Sequence, residues 1–204
     1  MVDPDLLVLG AATLGESGAA RMRARVGPVW PGAAVSGIAV PVVCTPGDNL
    51  AIHVALANAR AGSVLCVDVG DERELGYWGE VLTTGAESRG VAGLVIDGCV
   101  RDVAALEAHG FPVFSTGIAL TGASKDRPGS VGAPASVGDV TVHAGDVVVG
   151  DRDGVAVIPH AALDDVLAAG RARAAKEQDM FAALRAGATT VGLLSLDASA
   201  IDLT

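Results

Sequence analysis

The stretch "TPGDNLAIHVALANARAGSVLCVDVG", Thr45–Gly70, carries the repeating unit of this chain's architecture. Pro46, Gly47 and Asp48 are turn residues, and no proline or glycine follows until Gly62. This spacing predicts a helix capped at about Asp48 and ending near Gly62. The next run, "SVLCVDVG", is short, apolar and bounded by glycines, which reads as a buried strand. The same unit recurs downstream. "GEVLTTGAESRG" (Gly79–Gly90) predicts a short helix and "VAGLVIDG" (Val91–Gly98) a second buried strand. "DVAALEAHG" predicts a third helix, with Asp102 placed to cap it and Gly110 to stop it, and "PVFSTG" a further strand. Helix and strand thus alternate over residues 48–117 with short connections, the pattern of a parallel α/β layer.

Outward from this block the rhythm changes. "DLLVLGAATLGESGA" (Asp5–Ala19) predicts an N-terminal helix, followed by a Pro/Gly-rich passage to about Pro31. "AVSGIAVPVVC" (Ala34–Cys44) predicts a strand, in which Pro41 points to an edge or a break because it cannot donate to a ladder. Beyond Lys125, "SVGDVTVHAGDVVVGDRDGVAVIP" (Ser136–Pro159) alternates Val-rich runs with Gly-Asp turns, so antiparallel hairpins are expected. A final helix is expected from about Ala161 to Ala186. The sum is one mixed α/β domain in three layers, with β hairpins beside a β/α sheet.

Composition narrows the function. The chain has 204 residues, enough for one substantial core. No run approaches the roughly 18 apolar residues of a membrane span, and "MVDPDLLVLG" carries acids where a signal peptide carries bases. A cytoplasmic location is the expectation. Acidic residues outnumber basic ones by 24 to 14 and aromatics are 3% of the chain, which argues against phosphate-backbone binding and base stacking. Cys44, Cys66 and Cys99 form no CxxC pair and read as buried thiols. His53 and His109 fall within expected helices, His143 and His160 near strands, and no HxH or HExxH pattern offers a zinc site.

Ligands of parallel α/β sheets gather at the carboxyl ends of strands. Two consecutive junctions here carry ionisable residues, Gly79-Glu80 and Arg101-Asp102. The first helical turn after Gly79 also offers backbone N–H groups, at Val81 and Leu82, to a carboxylate. Local sequence supports a plainer account as well: Asp102 as an N-cap, Glu80 as a partner of the helix dipole, Arg101 as a surface charge. On the final helix, Leu163, Val166, Leu167, Gly170, Ala174, Met180, Phe181 and Leu184 form one apolar stripe, and Glu177 falls on it. Glu177 either is solvated there or faces a cation or a site, across a subunit contact.

With these residues in place, the chain resembles the RraA-like family, which includes class II 4-hydroxy-4-methyl-2-oxoglutarate/4-carboxy-4-hydroxy-2-oxoadipate aldolases. The likeness is carried by "PGDNLAIHVAL", "GYWGEVLTTGAESRGVAGLVIDGCVRD", "GFPVF" and "GDVVVGDRDGVAVIP". Catalytic members carry an acid, twenty intervening positions, then Arg-Asp; Glu80 and Arg101-Asp102 fit. The resemblance implies a β/β/α swivelling-domain fold, assembled as trimers or hexamers. It also implies a Mg²⁺ or Mn²⁺ ion bound directly by Asp102 and through water by Glu80 and by Glu177 of a neighbouring subunit. Arg101 would stabilise the oxyanion of a pyruvate enolate, while Gly79, Val81 and Leu82 would hold the substrate carboxylate. The implied activity is retro-aldol release of pyruvate from a 4-hydroxy-2-oxo diacid, with oxaloacetate decarboxylation through the same enolate. "GYWGE" has Glu where some relatives have Asp, and "STGIALTGASKDRPGSV" departs from the expected pattern.

Two alternatives remain open at this point: a non-catalytic regulator that binds a ribonuclease, as in one branch of the family, and a member recruited to a specialised biosynthetic pathway with another substrate. A methyltransferase is disfavoured because no strand-linked GxGxG loop exists for a methyl donor.

Overall fold

Val-rich runs form the sheet, and glycine-bounded segments form its crossovers. In the computed structural model, which describes residues 2–202, helix α1 (Asp5–Glu16) precedes the short strands β1 (Ala20–Arg21) and β2 (Gly27–Pro28) and the long β3 (Val35–Cys44). Three helix–strand units follow: α2 (Leu50–Asn58) with β4 (Ser63–Asp68), α3 (Glu80–Ser88) with β5 (Gly93–Asp97), and, after β6 (Cys99–Val100), α4 (Val103–His109) with β7 (Val113–Ser115). Strands β8 (Gly117–Ile118) and β9 (Gly129–Val131) lead to the hairpin of β10 (Ala135–Val137) and β11 (Val140–Val142). A second hairpin, β12 (Val147–Asp151) and β13 (Gly154–Ile158), leads through a 3₁₀ turn to α5 (Leu163–Arg185) and α6 (Thr190–Leu193).

The main sheet runs in the order β1-β13-β12-β3-β4-β5-β7-β2, with β9 also paired to β3. Strands β3, β4, β5 and β7 are mutually parallel, and the rest join antiparallel. The expected α/β alternation is therefore present. Pro41 corrects one expectation, because β3 lies inside the sheet. The pairing of β3 with β12 covers Val35–Ile38 and that with β9 covers Val42–Cys44, so Pro41 sits between the two partners. Ala39 N–H donates to Asp146 O at 2.8 Å, and Pro41 O accepts Gly132 N–H at 2.8 Å. The missing N–H thus falls where no acceptor is in register.

Side chains alternate across the sheet and separate three layers. Leu65, Val67, Leu94 and Ile96 pack under α2, α3 and α4. Val64, Cys66 and Val95 point the other way and are covered by Ala135, Val137 and Val142 of the β10–β11 hairpin. Helices α1 and α5 lie over β12 and β13, on Val147, Val149, Ala156 and Ile158. Each fully buried Val or Leu contributes about 1.5–3 kcal/mol against exposure, so this β/β/α stacking dominates the cohesion of the fold.

Helix α1 is not continuous. Gly10 has φ +77° and ψ 164°, and the next amide, Ala11 N–H, donates to Asp151 Oδ2 at 2.7 Å. A residue with a side chain resists that φ. Helix α5 is buried at Val166, Leu167 and Gly170, then leaves the core. Its apolar stripe continues regardless: Phe181 is 42% exposed and, with Met180 and Leu184, lines an open groove of about 500 Å³ beside Glu177. All three cysteines are free and buried, and burial pushes the Cys44 thiol up to about 12. No helix among the described residues is long and apolar enough to cross a membrane.

Candidate active site

The carboxyl ends of the parallel strands converge on one cleft of about 170 Å³. The β3–α2 junction contributes Asn49 and His53. The β4–α3 junction contributes Gly76 to Gly79, Val81 and Leu82 but not Glu80, and the β5–α4 junction Arg101 and Asp102. Gly122, Ala123 and Lys125 enter from the long loop after β8. The two junctions singled out in the sequence therefore share one site with two further segments.

Asp102 stands at the N-cap position of α4, yet its side chain does not cap that helix. Its backbone is left-handed (φ +60°, ψ 35°), which turns the carboxylate toward α3. There Oδ2 accepts the Glu80 N–H at 3.0 Å. The side-chain cap expected for α4 is thus spent on the neighbouring helix, a contact between junctions that local sequence does not encode. Oδ1 has no hydrogen-bond partner among the described residues. Gly79 permits this approach: its backbone is extended, and a Cβ there would overlap Asp102 Oδ2 and stand 3.2 Å from Arg101 Cγ.

Arg101 is anchored by its own amide, which donates to Trp78 O at 2.9 Å. Its side chain crosses a glycine floor. A Cβ on Gly76 would lie 3.0 Å from Arg101 Cδ, and one on Gly122 would lie 3.2 Å from Nη1. Among the described residues no acceptor hydrogen-bonds the guanidinium; Asp102 Oδ2 is 3.9 Å from Nε. The fork of donors is therefore available to a ligand. The N–H groups of Val81 and Leu82 likewise meet no protein acceptor among the described residues, as expected of a first helical turn.

The Glu80 carboxylate turns outward, 3.6 Å from His109 Nε2, while His109 Nδ1 lies 2.9 Å from Glu87 Oε2. Glu177 lies in the outer half of α5, where its Oε1 meets Arg173 Nε at 2.9 Å; it does not line this protomer's cleft. Among the described residues no three His, Cys, Asp or Glu side chains cluster closely enough to cage an ion.

Sequence reading missed Asn49, His53 and Lys125. The rule that selected Gly79 and Arg101 also applies to the β3–α2 junction, "PGDNLAIH", and would have found the first two. Asn49 is 4% exposed; Nδ2 donates to Tyr77 O at 2.8 Å, but buried Oδ1 has no partner among the described residues. His53, one helical turn on, buries Nε2 without a partner among the described residues. Burial and the nearby Lys125 charge together hold the His53 imidazole below its usual range, so it is neutral at pH 7. An unsatisfied buried polar atom costs about 1–3 kcal/mol, so two such atoms on residues that line one cleft are suited to a bound polar ligand.

Residues 11–157 match the RraA-like family, described as Aldolase/RraA. A protein of Halalkalibacterium halodurans, provisionally named a 4-hydroxy-4-methyl-2-oxoglutarate aldolase, is 35% identical over 144 residues, covering 71% of this chain and 69% of that one. Among solved structures, an uncharacterised protein from Pseudomonas syringae pv. tomato superposes with a TM-score of 0.80 at 26% identity, covering 92% of each chain. The RNA-processing inhibitor RraA of Thermus thermophilus superposes at 0.67 with 24% identity, over 73% of this chain and 92% of the other, and shares the fold.

Proposed function

This chain belongs to the RraA-like family, and we propose that it is a divalent-metal-dependent lyase that releases pyruvate from a 4-hydroxy-2-oxo diacid and decarboxylates oxaloacetate. One observation carries the reading. Among the described residues the Arg101 guanidinium and the Val81 and Leu82 N–H groups donate no hydrogen bond, and they line one cleft beside Asp102, whose Oδ1 accepts none. Those groups match a 2-oxo acid. Val81 and Leu82 N–H hold its carboxylate at the α3 terminus, and Arg101 hydrogen-bonds the 2-oxo oxygen. As the C3–C4 bond breaks, its electron pair moves into C2–C3 and negative charge gathers on that oxygen; the 4-hydroxyl loses its proton, and C3 later gains one. Arg101 is always charged and so stabilises the charge where it develops. Loss of CO₂ from oxaloacetate leaves the same enolate on the same groups.

The donor set fits Mg²⁺ or Mn²⁺. Such an ion needs few protein ligands and keeps several waters, so Asp102 Oδ1 would bind it directly and no carboxylate cage is needed. Glu80, and Glu177 from a neighbouring subunit, would hold its waters. When bound, the ion withdraws electron density from the 2-oxo group. Asn49, His53 and Lys125 face the rest of the substrate. A homotrimer or homohexamer in the cytoplasm completes the proposal: the uncovered stripe on α5 supports a subunit contact, and free thiols suit a reducing compartment.

A pyruvate-release assay on oxaloacetate and on a 4-hydroxy-2-oxo diacid, with Mg²⁺ and then with excess chelator, tests this. Turnover with metal, its loss on chelation and its loss in Arg101→Ala are expected. Equal rates with and without metal would overturn the reading. A ribonuclease-binding regulator would leave the unpartnered groups of the cleft without a purpose.

A further inference from the structure

The wall of the cleft that carries Lys125 belongs to a loop, residues 119–128, with almost no regular structure of its own. Backbone bonds from Ala119 N–H to Val100 O and from Gly76 N–H to Thr121 O hold its first half, and a buried carboxylate two segments away holds the half around Lys125. Asp48 is 1% exposed, and its Oδ1 accepts Leu50 N–H at 2.7 Å at the start of α2. Its Oδ2 accepts three donors, all from the loop: Ser124 Oγ–H at 2.9 Å, Asp126 N–H at 2.7 Å and Arg127 N–H at 3.1 Å. Those partners flank Lys125 on both sides. Backbone bonds continue the seam, from Asn49 N–H to Ser124 O and from Ser124 N–H to Gly47 O, each 2.9 Å.

We propose that Asp48 is a positioning residue of the site, which acts through the 121–127 loop to hold Lys125 in the cleft lined by Arg101 and Asp102. The functional part of this rests on the reading above, in which the cleft takes an anionic oxo acid. Asp48 touches no substrate; its reach is through the three donors on Oδ2. Hydrogen bonds to a charged group are stronger than those between neutral groups, and here three of them order one short loop. Burial by itself would raise this carboxyl, but the hydrogen bonds outweigh it and hold it at about 2, so Asp48 stays ionised wherever the protein is folded and working.

The test compares the wild type, Asp48→Asn, Lys125→Met and the double variant, each loaded with Mg²⁺ and assayed on oxaloacetate. Amide hydrogen exchange is followed on the same proteins without substrate. Asp48→Asn should raise exchange at residues 124–127 by about tenfold or more, while sheet amides stay protected. It should also raise KM by about tenfold, with a smaller change in kcat. In the Lys125→Met background the same substitution should add little. Additive losses, or unchanged exchange in the loop, would overturn the proposal. Should Asp48→Asn fail to fold, Ser124→Ala removes one of the three donors and is expected to act in the same direction, more weakly; no change in exchange there would count as refutation. A wild type that releases no pyruvate sinks the lyase reading alone, and exchange then decides whether Asp48 holds the loop.

Discussion

Replacing Gly79 with alanine separates the geometry of this site from the stability of the fold. Gly79 has φ −166° and ψ −165°, an extended conformation open to any residue, so the substitution adds no backbone strain. Its whole effect is steric. The new Cβ would overlap Asp102 Oδ2 and stand 3.2 Å from both Asp102 Cγ and Arg101 Cγ. The severe overlap is with Asp102 Oδ2, so the Asp102 side chain must yield. A retreat of about 1 Å breaks the hydrogen bond to Glu80 N–H and moves the uncommitted oxygen off its position, and a misplacement of that size costs on the order of 100-fold in rate. Loss of the cap on α3 should cost about 1 kcal/mol, a fall of about 2–4 °C in melting temperature for a chain of this length. The assay is steady-state pyruvate release with saturating Mg²⁺, beside thermal unfolding. A Gly79→Ala protein with kcat/KM within about threefold of the wild type would refute the placement of Asp102 and Arg101 as reacting partners.

Other outcomes follow from the same geometry. Arg101→Ala should lower kcat by about 100 to 1,000-fold with an unchanged circular dichroism spectrum; an intact rate would remove the oxyanion role. Glu177→Gln, measured by Mn²⁺ titration as well as by turnover, should weaken metal binding by about 10 to 100-fold, and unchanged binding would exclude a subunit-crossing role. Stability should fall with acid in two windows. Burial holds His53 below 6.5, so its unfolded form takes up a proton first, and stability begins to decline as pH drops through that value. Asp48 and Asp97 follow below about 4. Burial would raise both, but the hydrogen bonds to Asp48, and those from Arg25 and Gly138 N–H to Asp97, win and lower them. Their contribution is complete above the ordinary carboxylate value of 3.8 and is lost as pH falls below it, toward about 2 for Asp48. Urea unfolding at pH 7.5, 5.5 and 3 would show this, and a flat profile would contradict it.

The alternation of helices and strands between Asp48 and Gly117, the Val-rich hairpins and the long final helix are legible in the amino-acid order alone. Those signals are local: periodicity, caps and glycine stops act within a few residues and survive in a linear reading. It also marked Gly79, Glu80, Arg101 and Asp102, because strand ends and helix starts are visible in one dimension. Tertiary structure alone decided where their side chains go. Asp102 caps α3 instead of α4, Glu80 leans on His109, and Pro41 rests inside a sheet where its missing donor has no counterpart. Only the folded chain brings Asn49 and His53 beside Lys125, more than seventy positions away, and staples that loop with the buried carboxylate of Asp48. Hydrogen bonds between distant segments depend on sheet order and register. Those are set by the packing of the whole core, which no short window of sequence contains.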